Sequence, residues 1–540
     1  MKLRSYFFGA LACLALASCS SDDDAVASGE EFDPSKTHYV AINIVNPTET
    51  RATGGDFEIG SDTENQIDEA VLIFYDEDNK YISHVSRGHN DDALNQWQET
   101  PSTETTPGVE KITKAVCVLN DLTDEPKSVL AVMNYTVPSE FLTKGGENAT
   151  LAKLKAHIAE SVTINTAAGD FVMTNSAYQG NCETPLTPAN IQSSEVLALS
   201  SPVIIYVERI VAKVELKLAE GLANNSALNL GTTTLTIDGT AGQVVKPTIE
   251  GHGFVGTNTT HSYLIKNLGG KNWEWTGWND ATNKRSYWAV SAVPTAYNYY
   301  SWTELDGQAN VFPLYTEEEG INNYFYENTT NNPSNEKGYS ADAKTATTLV
   351  LPATLKIGDE AVDLVRHAGI YYTKENFLQV VENHLNGKHL TYIYGGTANQ
   401  TDWSSILEMK LAGAPGANAY KATPELKDDA NIEFDSPAIQ TAVNDALDAL
   451  GEAYYWNQGK TYFFVTVEHF GTPDCTHGIV RNHIYEISIG GTTGLGTPVV
   501  NPGDDIIPER PGTEETESHV AAQIKILKWK IVKQSNVILQ

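Results

Sequence analysis

The sequence is short of cysteine, of basic residues and of long apolar runs, and each shortage removes a class of protein. Five cysteines stand in 540 residues and none forms a CxxC pair, so neither a zinc site nor a dithiol redox centre is supported. Lys and Arg number 36 against 69 Asp and Glu, a formal net charge of −33. That balance argues against nucleic acid and against an electrostatically held membrane face. The apolar run Tyr6 to Ala17 is too short to span a bilayer as a permanent helix. There is no Walker loop, no GxSxG and no HExxH, and the carboxylates follow no spacing that a glycosidase pair would need. His469 and His477 flank Cys475, but the intervening Gly-Thr-Pro-Asp is turn chemistry and no third ligand or orienting group accompanies them. The expectation is a protein that is not an enzyme, with no catalytic residues, cofactor or metal.

What is there begins with a leader. Lys2 and Arg4 precede the apolar run, and the run ends in Leu16-Ala17-Ser18-Cys19, which resembles the lipobox of bacterial lipoproteins. Residues 1–18 are then a signal peptide and Cys19 the lipidation site. Ser20 to Asp24 is acidic and resembles the export signals of surface lipoproteins. Processing leaves Cys117, Cys182 and Cys475, and at most one disulfide among them.

Tyr39 to Arg51 comes next. Val40, Ile42 and Ile44 alternate with other residues, which predicts a first strand with one buried face. A polar run follows and ends in Arg51-Ala52-Thr53-Gly54-Gly55. An arginine before small residues fits a protease cleft as well as it fits a solvated loop.

From Ile67 the chain reads as strands and turns. Ala70 to Tyr75 and Tyr81 to Val85 form a hairpin across Asp76 to Lys80, whose DxD lacks the further ligands of a calcium loop. Val129 to Met133 is a strand, Thr150 to Val162 an amphipathic helix with Leu151, Leu154 and Ile158 on one face, and Val203 to Leu218 two strand lengths near a domain boundary. Trp273, Trp275, Trp278, Trp288 and Trp302 cluster with several tyrosines, a pattern that serves either a core or a glycan platform. Helices are expected at Glu375 to Leu385 and at Ser436 to Leu450, with late core strands at Thr461 to Val467 and Ile479 to Ile489.

The chain ends in HVAAQIKILKWKIVKQSNVILQ, residues 519–540, behind an acidic, Pro-rich linker at 501–518. Ile524 and Ile526 alternate, and Leu527, Trp529 and Ile531 continue one step out of phase. A bulge or bend would absorb the slip. Such a strand either folds back onto its own domain or pairs with another molecule. Its lysines, Lys525, Lys528, Lys530 and Lys533, are unaccompanied by any acid, so the acidic body of another subunit would attract it.

Three stretches carry a resemblance: Val207 to Val214 (VERIVAKV), Arg285 to Ala289 (RSYWA) and Gly478 to Tyr485 (GIVRNHIY) running on to Leu495-Gly496-Thr497-Pro498. With Trp529, they make the chain similar to the fimbrillins, stalk subunits of type V pili made as lipoprotein precursors. The resemblance implies a mainly β fold of two β-sandwich (transthyretin-like) domains with a few helices and an extended C-terminal donor strand. It implies a propeptide at 19–51, an N-terminal domain with an acceptor groove at 52–215, a C-terminal domain at 216–500, and a donor tail at 519–540. In this family an arginine-specific protease would cut Arg51–Ala52 and release the strand bearing Val40, Ile42 and Ile44. Ile524, Ile526, Leu527, Trp529 and Ile531 of a neighbouring subunit would then fill the groove, with Trp529 the chief anchor. The implied partners are identical or related fimbrial subunits and that protease, and the precursor meets the outer membrane only through its lipid. A tip adhesin, an anchor subunit, or a lipoprotein binding host or bacterial surface glycans through the tryptophan cluster are the alternatives.

Overall fold

The computed structural model describes residues 32–47, 64, 66–87, 94–101, 109–160, 171–177, 181–218, 231–268, 289–292, 298–306, 321–329, 346–413, 420–467, 469, 478–508 and 519–528. These residues are mainly β and form several sheets, the largest of nine, twelve and four strands.

The nine-stranded sheet holds the N-terminal part of the chain. Its order is Tyr81–Arg87, Ala70–Tyr75, Ser128–Met133, Met173–Asn175, Val203–Arg209, His38–Pro47, Val109–Leu119 and Leu94–Pro101, with Thr184–Pro185 paired to Ser128–Met133. Ala70–Tyr75 and Ser128–Met133 are buried at every residue, as strands covered on both faces must be. The expected hairpin closes through Asp76, whose carbonyl accepts from the Asn79 amide at 3.1 Å and whose carboxylate accepts from the Lys80 amide at 2.8 Å. Asn79 adopts φ 60°, a turn conformation that Asn tolerates.

The chain changes sheets at one buried residue, Ile210. Val203–Arg209 belongs to the nine-stranded sheet, and Val211–Leu218 pairs with Ile321–Tyr326 and His483–Thr493 in the four-stranded sheet. The twelve-stranded sheet centres on Thr348–Ile357 beside Lys460–Thr466. Beyond it lies a lobe with its own core, in which Phe377, Val381 and Leu385 meet Trp403, Val443 and Leu447. Its helices are Lys374–Gly387, capped by the Thr373 hydroxyl, and Pro437–Asp448, capped by the Ser436 hydroxyl with Pro437 in the first turn. Both were legible as helices.

Two expectations are corrected, and one open reading is decided. Thr150 to Val162 is not one helix: Leu151–Lys155 is helical behind the Thr150 cap, and Ile158–Glu160 is a strand paired with His261–Tyr263. Leu151 and Leu154 enter the core, while Ile158 stands opposite Tyr263, so a cross-strand partner outweighs helical spacing. The first strand is buried on both faces, since Ala41 lies beneath Ala198 on the side away from the main core. Trp302 is a core side chain: it is 4% exposed and its indole N–H donates to the Thr461 carbonyl at 2.9 Å. Trp273, Trp275, Trp278 and Trp288 lie outside the described residues.

Candidate functional site

The first strand, His38–Pro47, occupies an interior slot. On one side it runs antiparallel to Val109–Leu119, placing Val40 opposite Cys117 and Ile42 opposite Ala115. On the other it runs parallel to Val203–Arg209, with Ile42 beside Val203 and Ile44 beside Ile205. That is the one parallel pairing in this sheet among the described residues. Val40 and Ile42 enter the main core, fully buried, and burial of two such side chains contributes roughly 3–6 kcal/mol. Only the backbone of Ile44 is described.

A short helix, Glu195–Ser200, capped by the Ser194 hydroxyl, covers the outer face of this slot. Its one buried side chain, Ala198, closes on Ala41 and Val116. The approach is pinned by a backbone pair: Tyr39 N–H donates to the Gln192 carbonyl at 2.8 Å and Gln192 N–H returns to the Tyr39 carbonyl at 3.0 Å. Cys117 lies beneath the strand, fully buried and unbonded to sulfur, and burial pushes its thiol well above the ordinary range. Cys182 is likewise buried, its thiol pushed up to about 12.

The tail strand, His519–Lys528, lies at the edge of the four-stranded sheet, antiparallel to His483–Thr493. Ile524 stands opposite Ile487, Ile526 opposite Tyr485 and Leu527 opposite Ile484, in unbroken register. The expected bulge at the phase slip is therefore absent there. The irregularity sits on the partner strand instead, between Ile489 and Gly491, opposite Ala522 and Ala521, where a glycine-rich turn of backbone absorbs an extra residue at little steric cost. Within the lone chain the tail thus folds back onto its own body. Cys19, Arg51, Ala52, Trp529, Ile531, Cys475 and His477 lie outside the described residues.

Two of the quoted motifs, VERIVAKV and GIVRNHIY, meet at a third place, a buried polar seam where the two large parts of the chain join, while Arg285, Ser286, Tyr287 and Trp288 lie outside the described residues. Arg481 of GIVRNHIY is fully buried and pairs with Glu327 at 2.9 Å, while also donating to the Tyr263 and Leu264 carbonyls. Burial works against its charge, yet Glu327 holds its pKa above the ordinary value. Asn482, at φ 58°, sends its N–H to the Val211 carbonyl at 2.7 Å, and the Tyr485 hydroxyl accepts from the Val480 N–H at 2.8 Å. From VERIVAKV, Glu208 pairs with Lys266 at 3.1 Å and Lys213 with Glu64 at 3.4 Å and Glu215 at 3.0 Å. Arg209 Nε donates to the Glu64 carbonyl, and the Tyr324 hydroxyl donates to the Glu64 carboxylate at 2.6 Å. Glu64 thus clamps the chain just beyond the stretch holding Arg51. Sequence reading singled out Arg481 and Arg209 only as motif letters; Glu64, Glu327, Ala198 and Cys117 gave no signal, since their roles depend on partners far away in sequence.

Residues 454–535, from the strand Ala453–Trp456 through the tail, match the family described as major fimbrial subunit protein type IV, fimbrillin, C-terminal. The match takes in 82 of the 540 residues and makes the end of the chain similar to fimbrial subunit proteins. No curated protein matches it. Among solved structures, a protein assigned to cell adhesion from Bacteroides eggerthii is 11% identical over 93% of this chain and 98% of its own, with a TM-score of 0.34. One from Parabacteroides distasonis is 10% identical over 92% and 98%, with a TM-score of 0.35. The tip fimbrial protein Mfa3 of Porphyromonas gingivalis, truncated at its C-terminus, is 10% identical over 90% and 99%, with a TM-score of 0.32. Scores that low carry no weight for function, and the likeness to fimbrillins rests on residues 454–535.

Proposed function

We propose that the protein is a stalk subunit that polymerises by strand exchange after lipidation at Cys19, export and cleavage at Arg51–Ala52. The observation that carries this reading is the setting of the first strand. It is an interior strand of a sheet, yet in sequence it joins the rest of the described structure only through residues 48–63, the stretch that contains Arg51. A cut there frees Val40, Ile42 and Ile44 as a unit, and the Glu64 clamp holds the remaining chain in place. The emptied slot offers two unpaired edges and an apolar floor, which a strand from a second subunit satisfies by main-chain hydrogen bonds and alternate side chains. Ile524 to Ile531 of that subunit is the donor, and head-to-tail addition of this kind gives an open filament.

Cys117 reports the slot. Its thiol is unreactive in the precursor, reactive after the cut and protected again in the assembled form; N-terminal sequencing of that form gives Ala52. An assembled form that keeps acylated Cys19 would make the protein an anchor or a surface lipoprotein instead. The tail lysines support charge-steered association with the acidic body of a chain whose full net charge is −33, so assembly rates fall as salt rises. A glycan-binding role loses Trp302 to the core and retains no described aromatic from the cluster's tryptophans.

A further inference from the structure

The strand slot contains a steric filter. Any strand lying between Val109–Leu119 and Val203–Arg209 turns alternate side chains toward the core and toward the helix Glu195–Ser200. On the helix side Ala41, Val116 and Ala198 close on one another at 1%, 0% and 0% exposure. On the core side Val40 and Ile42, which flank Ala41, are 0% and 1% exposed. The slot therefore asks for a small residue between two apolar ones, because a larger side chain in place of Ala41 would strike Ala198.

Residues 519–540 contain two alanines, Ala521 and Ala522, and no glycine; Ser535 lies between Gln534 and Asn536, which are unfit for a core. With Ala521 in place of Ala41, Val520 takes the position of Val40, Ala522 that of Ile42, Gln523 that of Asn43 and Ile524 that of Ile44. Three of these five positions keep the same residue, and Gln523 replaces one amide by another. Shifting by one residue, to put Ala522 in place of Ala41, would bury Gln523 at the position of Ile42. Reversing the strand would set Ser518 at the position of Ile44, on the same side of the strand as Ile42.

Resting on the strand-exchange reading above, we propose that the tail of a second copy enters the slot in the direction of the first strand, with Ala521 under Ala198 and Ile524 in place of Ile44. Trp529 then lies past the end of the first strand, and the anchoring role assigned to it from sequence passes to Val520 and Ile524. Ala522 underfills the position of Ile42, so the natural tail is a looser occupant than the strand it replaces.

The test uses the full chain with a specific protease site in place of Arg51–Ala52, in a C182S/C475S background, cut and mixed with synthetic peptides of residues 519–540. The A521L peptide binds about tenfold or more weakly and the A522I peptide about tenfold or more tightly than the natural one. On oxidation the V520C peptide cross-links to Cys117, which stands opposite Val40. If A521L binds like the natural peptide, or A522C cross-links to Cys117 in place of V520C, the register is wrong while strand exchange stands. If no peptide binds the cut protein, strand exchange and register fall together.

Discussion

Two strands of ten residues lie near the ends of the chain, and their settings differ. The first has a neighbour on each side, a core beneath and a helix above; among the described residues the tail pairs with one strand and leaves its other edge unpaired. An edge strand leaves behind a single unpaired ladder, whereas an interior strand leaves two and an apolar trough between them. The tail can therefore leave its own body at modest cost, whereas under the proposed strand exchange the first strand has to be cut away and replaced. Under that proposal the asymmetry gives assembly a direction, since a subunit would offer its tail before it could accept another.

The largest expected effect follows from removing residues 38–47 with nothing to replace them. Loss of both ladders and of buried Val40, Ala41 and Ile42 costs on the order of 5 kcal/mol or more, comparable with the whole stability of many domains. Chemical denaturation followed by Cys117 labelling checks this. A deletion variant that keeps its transition and an unreactive Cys117 would end the contrast between the two strands.

Next comes the seam. Arg481→Met leaves Glu327 buried without its partner and costs about 3–5 kcal/mol, while the double variant R481M/E327M recovers much of that loss. Thermal melts of the three proteins separate a buried charge penalty from lost packing. An R481M melt equal to that of the natural protein would show that the pair does not fasten the two parts.

Deleting residues 519–540 should cost less, roughly 2 kcal/mol, because it removes cross-strand pairs on one side only. The melting temperature of the uncut protein would fall slightly and Cys117 would stay protected. A loss as large as that for residues 38–47 would mean that the tail is a structural strand of its own domain, as one reading of the sequence allowed.

Much of this was legible because strands announce themselves by alternation, as Val40 and Ile42 do, and helices by caps, as Ser436-Pro437 does. The leader, the arginine and the terminal strand were visible as local patterns. The second buried face of the first strand was not, since it depends on Ala198, more than 150 residues away in sequence. Ile158 was misread because helical spacing and strand pairing both fit a lone apolar residue, and only Tyr263 decides between them. The bulge was placed at the apolar phase slip, whereas backbone freedom at the glycine-rich partner strand fixed it opposite Ala521 and Ala522.

The smallest effects come from one substitution made in both strands. Ala41→Leu forces a side chain against Ala198 and Val116 and costs about 1–3 kcal/mol in the uncut protein. Ala521→Leu, at an edge position opposite Gly491 where the register already shifts, changes the same melt by no more than about 0.5 kcal/mol. Urea denaturation of the two variants side by side measures the difference. Equal losses would show that the tail is held in its own sheet as tightly as the first strand is held in its slot, and a tail so held could not serve as a donor.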